Sequence, residues 1–229
     1  MKVYSSIAVQ NVVEILLPRF EKESGVKPDV VWGTAPMLIR RLQGGENADL
    51  LILNKVGIDA MTKAGRIKPD TAATIASSAT AIAVREGAPK PDISTAEALK
   101  QTLHAARAIS YSHPDAGGAS GIYFARLLEQ WGMAEEINAK TRFPQPAGLC
   151  AEFLVRGEVD LALQQVPELM TVKGVEIVGT LPGDLHMVTV FVAGVETSST
   201  KAAEAQALLD LLRSSEAKTL FKAKGLEPG

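Results

Sequence analysis

Apolar positions along the chain follow two alternating rhythms. Val3-Tyr4 is a short strand-like run that stops at Ser5-Ser6. From Val9 the apolar residues Val12, Val13, Leu16, Leu17 and Phe20 recur at helical spacing, so a helix is predicted to about Ser24, ended by Gly25. Pro18 falls inside it and is expected to kink or tighten it. Val26 to Trp32 is β-branched or aromatic and reads as a second strand. A turn at Gly33-Thr34-Ala35-Pro36 leads to a helix with Leu38, Ile39 and Leu42 on one face, closed at Gly44-Gly45. Ala48 to Leu53 is apolar apart from Asp49, as in a parallel strand covered on both faces. Strands and helices alternating over brief loops predict a doubly wound α/β architecture.

The same rhythm continues. Ile58 to Ala64 reads as a short helix closed at Gly65. The small-residue run from Ala72 to Arg85, which includes Ser78, is predicted to pass as a strand from one lobe to another. Ser94-Thr95-Ala96-Glu97 is a structural capping-box signature with Ser94 as cap, opening a helix to about His104. Thr141-Arg142-Phe143 begins a strand, Gly148 to Arg156 is helical, and Val159 to Leu163 is a strand running into Gln164-Gln165-Val166-Pro167. After a strand from Gly174 to Gly179, Met187 to Ala193 is expected to return the chain to the first lobe. Ser198-Ser199-Thr200 is the expected cap of a helix with the stripe Ala207, Leu208, Leu211 and Leu212, and a last helix spans Glu216 to Lys224. The expected division is residues 1–80 and 188–229 for the first lobe and 81–187 for the second, joined by a two-strand hinge.

Right-handed crossovers gather strand C-terminal ends along one edge, where open α/β sheets bind ligands. Ser5-Ser6 and Thr34 fall there. The stretch Ser110 to Tyr123, reading SYSHPDAGGASGIY, is the strongest signal: a strand stops at His113-Pro114, Gly117-Gly118 free the backbone, and Ser120-Gly121 open a helix through Trp131. Such a turn aims several N–H groups at one spot where the helix dipole favours an anion. An ordinary capped turn is the competing reading of that stretch. For Gln164-Gln165, hydrogen bonding to a polar ligand and exposed turn residues are equally open.

Composition narrows the classes. The 229 residues carry a formal charge of −2, without the basic stripe of a nucleic-acid binder, and no apolar run spans a bilayer. The lone cysteine, Cys150, excludes an internal disulfide, and His104, His113 and His186 are too far apart for metal-ligand spacing. No metal and no cofactor are expected. Met1-Lys2 leads straight into a strand with no visible signal peptide, so the expected location is periplasmic if an export signal has been removed and cytoplasmic otherwise.

Several stretches resemble the molybdate-binding proteins of bacterial ABC transporters and, more widely, type II periplasmic solute-binding proteins. They are Lys2 to Ser6, Phe20 to Gly25, Leu42 to Leu50 with its strand, Gly121-Ile122-Tyr123, Gly174 to Gly179, and Glu216 to Gly225. The resemblance implies two α/β lobes closing on an anion, with an ABC permease as a possible partner. In that family a serine from each of the first two βα loops and a tyrosine from the second lobe hold the oxyanion. Those positions fall here at Ala8, Ala35 and Gln165. Lost hydroxyls imply a small organic anion, a di- or tricarboxylate, in place of molybdate. Ser5, Ser6, Thr34, Ala35, Ser78, Gly118, Ala119, Ser120, Gly148 and Gln165 are the expected ligand contacts. The GGASG loop also resembles aconitate isomerases on this scaffold, which implies an alternative in which the same interlobe cleft isomerises an unsaturated carboxylate. His113 is then the catalytic candidate, and Glu14, Glu152 or Glu168 serve only if burial raises their pKa.

Overall fold

A computed structural model describes residues 1–229. In chain order, β1 (Lys2–Ser6), α1 (Gln10–Ser24), β2 (Asp29–Gly33), α2 (Ala35–Gln43), β3 (Leu50–Asn54) and α3 (Lys55–Lys63) lead to the long β4 (Ala73–Arg85). Then come α4 (Ala96–Ala105), β5 (Ile109–Tyr111), α5 (Ala119–Gln130), α6 (Ala134–Ala139), α7 (Ala151–Val155), β6 (Leu161–Gln165), α8 (Val166–Met170) and β7 (Val175–Thr180). β8 (Val188–Val195), α9 (Ala202–Leu212), α10 (Ser215–Ala223) and β9 (Glu227–Pro228) complete the chain. Two compact units result, Met1–Ser78 with Thr189–Gly229, and Ala79–Val188. The first boundary falls inside β4 and the second inside β8, so two strands carry the chain across. No helix is long and apolar enough to cross a membrane.

In the first unit β1 lies between β2 and β3, parallel to both, and β3 pairs antiparallel with β8. Alternation along β3 explains its unbroken apolar run. Leu50 and Ile52 join Val12, Val13, Leu16 and Phe20 of α1, Leu208 and Leu212 of α9 and Phe221 of α10 on one face. Leu51 and Leu53 meet Leu38 and Leu42 of α2 and Ile58 and Met61 of α3 on the other.

The second unit repeats that logic. β6 pairs parallel with β5 and antiparallel with β4. Leu161 and Leu163 pack with Ile109, Tyr111 and the α5 residues Phe124, Leu127 and Leu128. Ala162, with Ala81 and Ala83 of β4, packs with Cys150, Ala151 and Leu154. Odd-numbered residues of β6 therefore face α5, and even-numbered ones face α7.

Several boundaries differ from the sequence expectation, each for a local reason. Thr95, not Ser94, caps α4, accepting the Ala98 N–H at 3.1 Å, because the Ser94 N–H is taken up by Asp92 Oδ1 at 2.9 Å. Thr141 makes only a bridge to Ile109, since prolines follow at 144 and 146 and end any ladder. α7 starts at Ala151 and not at Gly148, whose N–H is instead tied to Gln145 O at 2.8 Å in a turn. Lys201 stands at the N-cap of α9, while the expected cap Ser199 accepts the Lys201 N–H and donates to Asp49 Oδ1 at 2.7 Å.

Phe124 is fully buried with its ring edge-on to Tyr111 at 5.0 Å between centroids. Phe124→Ala is expected to lower unfolding free energy by about 3–5 kcal/mol in urea titration, through lost transfer energy and the cavity left behind.

Candidate functional site

In the first unit, the parallel register places Ser6 beside Gly33, immediately before Thr34. Ser6 ends β1 in extended conformation, and Thr34 is the N-cap residue of α2. Asn54, at the end of β3, caps α3 by accepting the Gly57 N–H at 2.8 Å. Three strand ends thus feed helices at one edge. The predicted contacts there divide by direction. Ser5 is fully buried and its Oγ donates to Ser6 O at 3.3 Å, which makes it a sheet residue. Ala35 is packed in the apolar cluster beside Leu38 and Leu53. Ser78 is buried within β4.

In the second unit the organising contact is Gln164. Its Oε1 accepts the Cys150 N–H at 2.8 Å and its Nε2 donates to Gly148 O at 3.1 Å. Both halves of the amide are spent on holding the 144–150 loop against the end of β6. Of the two readings open for Gln164, the ligand-contact one is therefore replaced by a structural clamp. The same loop carries Ala147 in the left-handed region at φ 66°, which costs a residue with a Cβ about 1–2 kcal/mol. Clamping by Gln164 at Gly148 O and at the Cys150 N–H, on either side of Leu149, offsets that cost.

The start of α5 is fixed by close approach. A Cβ on Gly121 would lie 2.1 Å from the carbonyl oxygen of Ser112, so only glycine lets the helix sit against the strand-end loop. Ser112 Oγ is in turn 3.9 Å from Cys150 Sγ. Gly118 is the extended N-cap residue, with no side chain capping the helix, and Ala119 and Ser120 form its first turn. Ser120 is buried. The N–H groups of this turn lack intrahelical acceptors by geometry, which makes it an anion-directed terminus of a 12-residue helix.

Gln165 ends β6 on the odd-numbered face, the face that α5 covers. Only 5 % of it is exposed, and its side chain faces the Glu168 N–H in the capping box that opens α8. Three residues on, Glu168 accepts the Gln165 N–H at 3.2 Å. Burial pushes the Glu168 carboxyl up to about 7, with the Gln165 hydrogen bond opposing that rise. The signal for this arrangement is in the sequence: a glutamate three residues after a cap residue, with Pro167 between them, is helix-start spacing.

The other titratable candidates make local contacts. His113 is a turn residue: its Nδ1 accepts the Asp115 N–H at 3.2 Å and its ring packs on Phe143 at 4.6 Å. Glu14 is exposed and accepts from Gln10 of its own helix, and Glu152 is exposed beside Arg156. Burial pushes the Cys150 thiol up to about 12, so it is inert as a nucleophile at neutral pH.

Each unit thus has a strand edge carrying glycine and hydroxyl residues. The family model for bacterial extracellular solute-binding proteins matches residues 1–227. The chain belongs to that family. An aconitate isomerase from a Pseudomonas species is 34 % identical over 234 residues, spanning all of this chain and 87 % of that protein. The molybdate-binding protein ModA of Escherichia coli strain K12 is 22 % identical over 226 residues, spanning 97 % of this chain and 87 % of that protein. Among solved structures, the periplasmic molybdate-binding protein of Azotobacter vinelandii superposes with a TM-score of 0.77 at 17 % identity, covering 99 % of this chain and 98 % of that one. The fold is that of periplasmic binding proteins.

Glu168 makes a stability prediction. Its pKa is raised in the folded state above that of the unfolded chain, so the native state holds more protons between them. Stability therefore falls as pH rises from about 4.5 to about 7, by on the order of 3 kcal/mol at most from this group. Urea titrations across that window are expected to show the decline in the natural chain and a flatter profile in Glu168→Gln.

Proposed function

We propose that this chain is the binding component of an ABC-type uptake system and that it takes a small organic anion, a di- or tricarboxylate, in preference to molybdate. The observation that carries this reading is the fate of Ala8 and Ala35. Both are packed into apolar clusters and offer no hydroxyl at the positions where the molybdate-binding resemblance puts serines. Each unit's strand edge is proposed as an anion-contact surface, the first through Ser6 and Thr34, the second through Gly118, Ala119, Ser120, Gly148 and Gln165. Uptake implies a periplasmic location and a permease partner.

A ligand that binds only the folded state raises stability by about 2.7 kcal/mol at a hundredfold excess over Kd. Thermal melts with succinate, malate, citrate, both aconitates, sulfate, phosphate and molybdate are expected to rise by several degrees with a carboxylate and to stay unmoved with molybdate. A rise with molybdate alone would overturn the carboxylate assignment.

A second reading, isomerisation of an unsaturated tricarboxylate, is favoured by one specific group. Moving a double bond along such an acid requires a base to take the proton from the carbon beside the alkene and return it at the far alkene carbon. A carboxyl held near 7 is suited to both halves of that transfer at neutral pH. Glu168 is the residue proposed for it, and the identity to an aconitate isomerase supports the choice of substrate. Proton NMR of trans-aconitate incubated with the protein is expected to show conversion to the cis isomer. Glu168→Gln should slow conversion about 100-fold or more, and His113→Ala should leave it near the natural rate. Absence of any conversion after prolonged incubation ends this reading and leaves the binding one standing.

A further inference from the structure

We infer that the second unit has another binding site, at the opposite end of its strands from the anion edge. Its ligand is an organic acid with an extended apolar body and a single carboxylate. A cavity of about 560 Å³ lies where β4 ends and where β5 and β6 begin. Small-molecule sites run to roughly 300–1,000 Å³ and are mostly apolar with a few placed polar groups. This cavity has that make-up, and it does not depend on what the anion edge binds.

Val84, Pro89, Pro91, Ala105, Leu154 and Leu161 form its apolar wall. The two prolines carry no N–H and have little side-chain freedom, so their part of the wall is preformed. Most polar groups around it are already paired. Thr102 donates its hydroxyl to Asp92 O at 2.7 Å. Asp160 accepts the Arg107 N–H at 2.7 Å and Arg107 Nη2 at 3.2 Å, and the same Nη2 donates to Gly157 O at 3.0 Å. At the end of α4, His104 O accepts from Lys140 Nζ at 2.9 Å. Arg85 is the exception. It is the last residue of β4, on the α7 face by alternation from Ala81 and Ala83, and its guanidinium makes no hydrogen bond or ion pair. The lining therefore combines an apolar wall with one uncommitted cation, and holds two arginines against one carboxylate. A guanidinium fork matches a carboxylate in bidentate fashion. A short acid charged at both ends would press its second carboxylate against the apolar wall, at a desolvation cost. A chain with one carboxylate covers the wall and reaches Arg85.

Isothermal titration with octanoate, butanoate and octan-1-ol, together with amide NMR shifts on adding octanoate, tests the site in the full chain. Octanoate is expected to bind, with shifts centred on residues 85, 105–107 and 157–161. Each methylene removed from water is worth up to about fourfold in affinity, so butanoate should bind about tenfold or more weakly than octanoate. Octan-1-ol should trail octanoate by about tenfold, and Arg85→Gln should erase that difference. Ala105→Trp, at an exposed helix position, is expected to fill the cavity and abolish octanoate binding. No saturable octanoate binding, or shifts centred on residues 118–120, overturns the site. Equal binding of octanoate and octan-1-ol by the natural protein overturns the carboxylate requirement. A difference that survives Arg85→Gln overturns the role of Arg85. The comparisons within the natural protein decide the site and its ligand class whether or not either variant folds.

Discussion

A strand covered by helices on both faces has nowhere to display polar chemistry except its end. β3 and β6 are covered in this way: alternate residues of β3 feed two apolar clusters, as do those of β6. Parallel pairing of β1 with β2 and β3, and of β5 with β6, lines up those ends on one edge of each unit. A chain of −2 formal charge can bind anions in this manner, because backbone N–H groups at helix starts supply the positive potential that lysines would otherwise provide.

At the second unit's edge the two glutamines show how burial divides labour between adjacent residues. Gln164 faces Cys150 and spends both ends of its amide on the 144–150 loop. Gln165 faces the opposite side of the sheet and joins Glu168 in the capping box that opens α8. One residue along a strand reverses the face, so identical side chains become a loop clamp and a helix cap. Glu168 belongs to the same small arrangement, tying the strand end to the following helix while burial holds its carboxyl near neutrality. The proposed binding and isomerase readings both rest on this strand end.

Much of the architecture is legible in the residues themselves. The 3.6-residue stripe of Val12, Val13, Leu16 and Phe20, the unbroken run Leu50 to Leu53 and the glycine-opened helix after Tyr111 each specify one element with little ambiguity. Ser94 and Ser199 were less legible because serine competes for several roles near a helix start. The neighbours Asp92 and Asp49 settled which one each took. His113 drew notice by its place at a strand end before the glycine loop; its partner, the N–H two residues on, is a local contact that composition does not reveal.

By itself the sequence determined the alternation of strands and helices, the placement of hydroxyl and glycine loops at strand ends, and the lack of serine at positions 8 and 35. All of these are properties of local order, set by periodicity and residue type. Tertiary structure decided that the Glu168 carboxyl is raised, because desolvation depends on what other segments pack around a group. It also decided that Gly121 must be glycine, through the carbonyl of Ser112, and that Gln164 holds a loop while Gln165 caps a helix. Burial and face are set by long-range packing, and no window along the chain contains them.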